Sequence, residues 1–436
     1  MTGRRVWPAA LIVAVASFVI SLGRLWLGNH DALTQVVWAE DGLFPLCVRK
    51  AGFLTCLIDP FAGYLLALPR LIAGGIALLP PSTWALATNV VAGVLAALAG
   101  AAGYAIVRRS GGGAVVSVLI GLLPVIVPVV GLEAINALGS SYMLLLYVGT
   151  LLVVFPRWDE LRWPATVVVA LFLLLTALTI PTAVIIAGLV VLQALRGHIR
   201  WRAALVWVVA IGLGLIAQWW TAAHAAIPRA MHPGADTVRG WADAIPSTLL
   251  TYVPGLELQD YTFANVFPIT ANTWIGPLCA LALLVGGFVL VIRGWWGSGR
   301  LVTIGLLLMS GLAFGAVPAI LGGANNRYFV VPLLLWVAAL LVAIDPWVQR
   351  SRVWVLVLVA AIIVVLWWPL IPASWYRTKP APPWADEVAR IHNSCNADPA
   401  KQERIIFSPY WPPNWGDGLS EPTHPNLSCL VGRKWT

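Results

Sequence analysis

Glu40 and Asp41 form an adjacent pair of carboxylates that is suited to acid–base chemistry. They follow Trp38 and precede Gly42, about 17 residues after a long apolar run. In such a pair, one acid can deprotonate a hydroxyl while the other binds a divalent cation or orients the base. The pair therefore predicts catalytic residues that could also bind Mg²⁺ or Mn²⁺. The alternative is a solvated acid pair that caps a helix.

Two arginines lie where they could bind an anion. Arg70 lies in an otherwise apolar segment, and an arginine so placed needs an anionic partner, for which a phosphate is suited. Arg327 follows two glycines and two asparagines and precedes an apolar run that begins at Tyr328. Backbone N–H groups at a helix start could hold an anion together with Arg327. The alternatives are an Arg70 that snorkels to lipid headgroups and a plain turn at Arg327.

Other polar residues are possible contributors to a substrate site. Glu133 has no other charged residue within 23 positions on either side, which makes it either a functional acid or an acid at the water-facing start of a helix. A polar segment, about 221–271, reads as a loop that faces a substrate, and its two histidines have no third zinc ligand nearby. The additional substrate-site residues predicted are Glu133, Asn136, His224, Arg229, Asn326 and Tyr328.

Five cysteines divide into two local pairs and one single residue. Cys47 and Cys56 lie near the carboxylate pair, Cys395 and Cys429 lie near the end of the chain, and Cys279 lies in an apolar run. Four cysteines allow three connectivities, of which local pairing, Cys47–Cys56 and Cys395–Cys429, is the simplest. Four unpaired cysteines are the alternative. No spacing typical of a metal site accompanies them.

The composition excludes a soluble globule and a disordered chain. Sixty per cent of the 436 residues are hydrophobic and 10% are charged, whereas a soluble domain has roughly 25% charged residues. The net charge of +9 comes from Lys and Arg at the ends of apolar runs, which indicates membrane topology and not nucleic-acid binding. The sequence predicts an all-α integral membrane protein.

Uncharged runs predict about eleven transmembrane helices. A helix needs about 20 residues to span, so the long run Trp163–Leu195 must contain two helices, separated by a tight turn at Thr179–Thr182 around Pro181. The other runs are Val6–Gly23, Trp84–Val107, Ala114–Val130, Tyr142–Pro156, Ala203–Trp220, Asn272–Ile292, Leu301–Pro318, Tyr328–Ile344 and Val353–Leu370.

The placement of arginines predicts the orientation. Short segments rich in arginine alternate with longer segments poor in it, so the N-terminus is expected inside and the C-terminus outside. This fit requires Gly63–Pro80, which carries Pro69 and Arg70, to be an interfacial or re-entrant segment on the outer face. Most acids then lie outside, which indicates an external working face.

Two domains follow from this topology. Residues 1–372 form the polytopic domain, whose first outer loop covers 24–83 and contains interfacial helices. Residues 373–436 form a small disulfide-stapled extracytoplasmic cap. Within the cap, Trp384–His392 is typical of a short helix and Arg404–Ser408 of a short strand.

Taken together, these features resemble the GT-C superfold of membrane glycosyltransferases. The shared features are an inner N-terminus, a first helix, a long outer loop with an early acidic pair and interfacial helices, and many further spans. More narrowly, the chain resembles a group of small, largely uncharacterised bacterial GT-C-like proteins in Trp38–Gly42, Gly63–Arg70, Thr179–Pro181, Asn326–Tyr328 and the cysteine-bearing tail. The acidic pair departs from the spaced Asp-x-Asp of many soluble transferases.

The resemblance implies an enzyme that uses a lipid-linked sugar. A polyprenyl-phosphate sugar would be the donor, and an extracytoplasmic glycan, lipid or protein would be the acceptor. Asp41, or Glu40, would be the general base or cation ligand, and Arg327 and Arg70 would meet the donor phosphate. The expected location is the plasma membrane, with the active site on the extracytoplasmic face.

Two other functions are compatible with the sequence. A transporter or flippase for a lipid-linked or anionic solute would also place Arg70, Glu133 and Arg327 near an outer vestibule. Transport sites usually lie near the bilayer midplane, whereas the polar clusters here lie at the outer edge, which favours external chemistry. A non-catalytic membrane assembly factor is the third interpretation.

Overall fold

The structure is a computed structural model that describes residues 6–28, 31–37, 40–60, 64–126, 136–155, 163–224, 275–295, 298–320, 330–351, 353, 355, 357, 383–398, 400–405 and 426–428. Its helices are α1 (Val6–Gly28), α2 (Ala32–Gln35), α3 (Glu40–Ala51), α4 (Phe53–Ile58), α5 (Ala67–Ile76), α6 (Trp84–Arg109), α7 (Ala114–Ile126), α8 (Tyr142–Val154), α9 (Trp163–Thr179), α10 (Val184–Leu195), α11 (Trp201–Ala223), α12 (Ile275–Gly294), α13 (Gly299–Ile320), α14 (Val330–Arg350) and α15 (Trp384–Ala397). Strands β1 (Gln402–Arg404) and β2 (Asn426–Ser428) pair antiparallel.

Five helices in the described part of the chain are long and apolar enough to cross a membrane, namely α1, α6, α11, α13 and α14. The predicted α-helical membrane class agrees with this finding. The remaining apolar helices are shorter in their described parts. Helices of 12 or 13 residues, such as α7, α8 and α10, reach about 20 Å, less than the roughly 30 Å of a bilayer core. The count of about eleven spans therefore stays a prediction.

Proline explains why one predicted run forms two helices. Helix α9 ends at Thr179, a 3₁₀ turn covers Pro181–Ala183, and α10 starts at Val184. The proline has no N–H for a helical hydrogen bond, so it fits the first position of a new turn and not a helix interior. The predicted division of Trp163–Leu195 is confirmed. The run Val353–Leu370 lies largely outside the described residues.

The helices expose apolar side chains outward, as lipid contact requires. Leu11 and Ile12 on α1 and Leu213 and Ile216 on α11 are more than half exposed. A water-soluble protein rarely shows apolar faces of this extent. Exposed tryptophans lie at or near helix ends, as an aromatic belt predicts; they are Trp7, Trp26, Trp163, Trp201, Trp219, Trp220 and Trp347.

Small residues let the first spanning helices approach closely. A Cβ added to Gly100 on α6 would lie 2.8 Å from the carbonyl oxygen of Gly121 on α7, and one added to Gly121 would lie 2.7 Å from that of Gly100. Both positions therefore require glycine, because any side chain would push the two backbones apart. Membrane helices commonly pack through such contacts, since no hydrophobic effect drives their association in lipid.

One buried carboxylate ties the helices together at the end of the bundle opposite the loop between α1 and α6. Asp345 on α14 accepts hydrogen bonds from the Gly113 backbone N–H, at 3.1 and 3.2 Å, and from the Gln349 side chain at 2.8 Å. Arg300 at the start of α13 lies 3.4 Å away. A Cβ on Gly113 would lie 2.4 Å from the carboxylate, so glycine is needed there.

We expect Asp345→Ala to lower the free energy of unfolding by about 2–4 kcal/mol, because it leaves the buried Gly113 N–H without an acceptor. Thermal unfolding in detergent can be followed by thiol labelling of Cys279, a free cysteine in α12. The control is Asp386→Ala in α15, an exposed acid whose loss should change stability by no more than about 0.5 kcal/mol. Equal unfolding temperatures for both variants would contradict the anchoring role.

Candidate functional site

The Asp41 side chain fastens the first loop to the start of α8. Asp41 lies in the first turn of α3 and is only 1% exposed. Its carboxylate accepts hydrogen bonds from the backbone N–H groups of Leu138, at 2.8 Å, and Gly139, at 2.7 Å. Residues 136–141, which we call the anchor segment, are thereby held against α3. A buried carboxylate needs such donors because it has lost its water.

Asn136 attaches the same anchor segment to α1. Its backbone has φ 55, a left-handed conformation that asparagine tolerates better than most residues. Its side-chain oxygen accepts a hydrogen bond from the Ser21 hydroxyl, and its Nδ2 donates to the Ser21 carbonyl at 3.3 Å. Two residues predicted for the site therefore hold the anchor segment. Asp41 bonds it to α3, and Asn136 bonds it to α1.

A recess lies beside this junction. Its enclosed volume is about 20 Å³, and it is open on one side. The polar part of its wall comes from Ser21, Asn136 and Ser141, and the rest is apolar; the other lining residues are Ala92, Leu95, Ala96, Pro124, Val125, Ala137 and Leu144. The recess therefore combines an apolar lining with a few polar groups.

Arg24 is a buried cation that is bonded to Val125, a residue of the recess wall, and sequence reasoning missed it. It lies inside α1, where the sequence analysis had placed the start of the outer loop. Its side chain is buried, and its Nη1 donates to the carbonyl oxygen of Val125 at 2.7 Å. The sequence signal that could have identified Arg24 is an arginine with apolar residues on both sides. Such a residue in a membrane helix is a functional candidate.

Arg70 is buried, but the groups around it belong to the protein. Its Nη1 donates to the Cys56 carbonyl, and its guanidinium lies 5.5 Å from the Phe44 ring. Cys56 forms a disulfide with Cys47, with a Cα–Cα distance of 5.8 Å, as predicted. Arg70 therefore supports the disulfide-closed turn between α3 and α4 in this structure. Its contact with a donor phosphate stays a prediction.

Polar side chains of the bundle hold the start of α5. Leu66 precedes the helix in a left-handed conformation, φ 49. The N–H of Leu65 donates to Gln218 on α11 at 3.1 Å, and the N–H of Leu68 donates to Thr179 on α9 at 3.2 Å. These bonds satisfy backbone donors that a helix start leaves open. They dock the ten-residue α5 on the bundle, and its assignment as an interfacial or re-entrant segment stays a prediction.

Helix α15 of the tail packs on the first loop. Trp384 is buried, stacks on Trp84 with ring centroids 6.2 Å apart, and donates from Nε1 to the Pro81 carbonyl at 2.6 Å. Val388, Ile391 and Cys395 continue the buried face of this helix. The buried side chains they join come from the first loop, the start of α6, the anchor segment and the residue after β1, namely Val37, Leu46, Ile76, Trp84, Ala85, Leu138 and Ile405. The first loop and the tail therefore lie on the same face of the bundle.

Arg49 links α3 to the end of α5. It donates to the carbonyl oxygens of Ala77 at 2.9 Å and Leu79 at 2.7 Å, and its guanidinium lies 5.5 Å from the Trp84 ring. Partial burial lowers the pKa of Arg49. The cation compensates carbonyl groups that the end of a helix leaves open.

Several predicted residues lie outside the described part of the chain. They are Glu133, Arg229, Asn326, Arg327, Tyr328, Cys429 and the side chain of Glu40. Cys395 is disulfide-bonded, and its predicted pairing with Cys429 is not tested by the described residues. His224 is exposed at the end of α11, where its ring stacks on Trp220 with centroids 4.2 Å apart.

The described residues contain no cluster of three or more His, Cys, Asp or Glu side chains that could hold a metal ion. Binding of Mg²⁺ or Mn²⁺ by Glu40 and Asp41 therefore stays a prediction. The groups that the structure does bring together are a buried cation, two hydroxyls and an amide beside an apolar recess. Such a set can bind an anion that is attached to an apolar chain.

This geometry is the basis for a functional proposal. No protein-family model matches the chain, and no curated protein matches it either.

We expect Asp41→Asn to loosen the anchor segment, because an amide has one acceptor oxygen where the carboxylate has two. Amide hydrogen exchange at Leu138 and Gly139, measured by mass spectrometry, should accelerate by about 10–100-fold, which corresponds to about 1.5–3 kcal/mol. The control is Asp59→Asn, an exposed acid of the same loop. Unchanged exchange in Asp41→Asn would contradict the anchoring role.

We expect Trp384→Ala to detach α15 from the first loop, since removal of a buried tryptophan costs about 3–5 kcal/mol. Limited proteolysis should then cleave the tail faster than in the wild type. Trp347→Ala removes a tryptophan that is 57% exposed on α14 and should leave the cleavage rate unchanged. A tail equally resistant in Trp384→Ala would show that the stacking contact does not hold it.

Proposed function

We propose that the protein is a membrane glycosyltransferase that moves a sugar from a polyprenyl-phosphate donor to an extracytoplasmic glycan, lipid or protein acceptor. The observation that carries the proposal is the junction of helix α3, which begins with Glu40 and Asp41, with the anchor segment, beside a partly apolar recess. This junction is supported by Asp41 from the first loop and by Ser21 from α1. It gathers buried polar side chains at the end of an apolar bundle, next to the recess through which a lipid-linked substrate would enter.

The shared location of the first loop and the tail supports one working face. Trp384 and Trp84 stack across this contact, so the first loop and α15 lie on the same side of the membrane. The chain must therefore cross the membrane an even number of times between them. The predicted arrangement, with ten spans after the first loop, meets this condition. The proposed face is extracytoplasmic, and the proposed membrane is the plasma membrane.

The burial of Asp41 supports different roles for the two acids of the pair. Asp41 is buried and both of its carboxylate oxygens accept backbone N–H groups. A general base must reach the hydroxyl of the acceptor. We therefore assign the base to Glu40, the first residue of α3, and assign the positioning of α3 to Asp41.

The proposed reaction is a single displacement. Glu40 takes the proton of an acceptor hydroxyl, and the hydroxyl oxygen forms a bond to the anomeric carbon of the sugar. The bond from that carbon to the phosphate oxygen breaks, and polyprenyl phosphate leaves with the electron pair. Cationic side chains stabilise the charge on the departing phosphate. A divalent cation, if bound, would add to this stabilisation.

We expect sugar transfer in washed membranes to depend on the acidic pair. A panel of radiolabelled polyprenyl-phosphate sugars would be supplied to wild type, Glu40→Gln, Asp41→Asn and the double variant at matched expression. Loss of a general base should reduce transfer by about 10²–10⁴-fold in Glu40→Gln. Asp59→Asn in the same loop should retain the wild-type rate.

The variants separate catalysis from folding. Glu40→Gln should lose transfer and keep its unfolding temperature, whereas Asp41→Asn should lose both. Wild-type transfer by the double variant would overturn the assignment of the site. Movement of an unmodified lipid-linked solute across proteoliposome membranes, without sugar transfer, would instead support the transporter or flippase.

A further inference from the structure

We propose that Arg24 binds the phosphate of the lipid-linked substrate, with Ser141 and the Ser21–Asn136 pair as the polar wall of the binding site. This inference rests on the proposed function, because that function supplies a polyprenyl phosphate as donor and leaving group. It assigns the phosphate to a helix residue that precedes the first loop.

Arg24 is a buried cation with one donor that no described residue satisfies. Its side chain is 7% exposed, and its Nη1 has a backbone carbonyl as partner. Its Nη2 is buried and has no hydrogen-bond partner among the described residues. A buried cation without a counter-charge is costly, so such a residue in a membrane protein usually marks a binding or transport site.

The depth of Arg24 in the membrane fits a lipid phosphate. Trp26, two residues further along α1, is 48% exposed and lies near the end of the helix. Tryptophans of this kind mark the boundary between hydrocarbon and headgroups. Arg24 therefore lies near the level at which the phosphate groups of lipids are found, yet it is enclosed by protein.

Further polar groups lie on the same side of α1 as Arg24. Ser17, Ser21 and Arg24 are spaced by four and three residues, which places them on one face of the helix, and all three are buried. The hydroxyl of Ser141, in the recess wall, is also buried without a hydrogen-bond partner among the described residues. Hydroxyl and guanidinium donors are the groups that phosphate oxygens accept from.

The recess has room for one phosphoryl oxygen. Val125, whose carbonyl accepts the hydrogen bond from Arg24, lines it together with Ser21 and Ser141. The enclosed part has room for about one water molecule, which is also the size of a phosphoryl oxygen. The open mouth leaves the remainder of the phosphate and the apolar chain outside this pocket.

The test measures lipid binding to the purified full-length chain in detergent. The probes are polyprenyl phosphate, polyprenol of the same chain length and phosphatidylglycerol. Binding is detected as a rise in the unfolding temperature, followed by thiol labelling of Cys279. We expect polyprenyl phosphate to stabilise the wild type and the other two lipids to have no effect at the same concentration.

The variants test the role of Arg24. Arg24→Gln should weaken binding of polyprenyl phosphate by about tenfold or more, and Ser141→Ala by a smaller factor. The control is Arg109→Gln, which removes one positive charge at the opposite end of the bundle and should bind as the wild type does. If Arg24→Gln fails to fold, Arg24→Lys keeps the charge and should show intermediate binding.

Three results would overturn the proposal. One is undiminished binding to Arg24→Gln. The second is equal, Arg24-dependent binding of phosphatidylglycerol, which would make this a site for bulk lipid. The third is strong coupling between Arg24→Gln and Glu133→Gln in a double-mutant stability cycle, which would make Glu133 the counter-charge.

The same experiment separates this site from the enzymatic proposal. Arg24-dependent binding of polyprenyl phosphate without any sugar transfer would keep the site and reject the glycosyltransferase. Transfer that is undiminished in Arg24→Gln would keep the enzyme and reject the site.

Discussion

The site region depends on one interaction, the acceptance of two backbone N–H groups by the buried carboxylate of Asp41. Without it, the anchor segment would have two unsatisfied donors in an apolar environment, which is unfavourable in a membrane protein. With it, α3 is held beside α8, and the recess next to α1 keeps its polar wall. The remaining contacts of the first loop extend outward from this junction.

Two buried carboxylates act at opposite ends of the described bundle. Asp41 holds one end together and Asp345 the other, and each accepts hydrogen bonds from the backbone of a different segment. Between them the helices pack through small residues such as Gly100 and Gly121. This division follows from the solvent, because lipid offers no partner for a polar group in the middle of a span.

The sequence predicted the apolar helices, the division at Pro181 and the Cys47–Cys56 disulfide, because each depends on local residue types and spacing. It did not predict the partners of Asp41, which come from a segment 97 and 98 residues away. The burial of Arg24 was also missed, since long-range packing decides whether an arginine near a helix end reaches water. Glu40 and Asp41 look equivalent in sequence, and only the packing of α3 distinguishes their proposed roles.

The contact between Trp384 and Pro81 joins residues that are 303 positions apart. During synthesis, the first loop is therefore made long before the helix that covers it. Until α15 arrives, Trp84 and its apolar neighbours lack this cover. Maturation of this face is thus delayed until α15 is made, and a nascent chain that stalls before Trp384 would present an incomplete surface to chaperones and proteases.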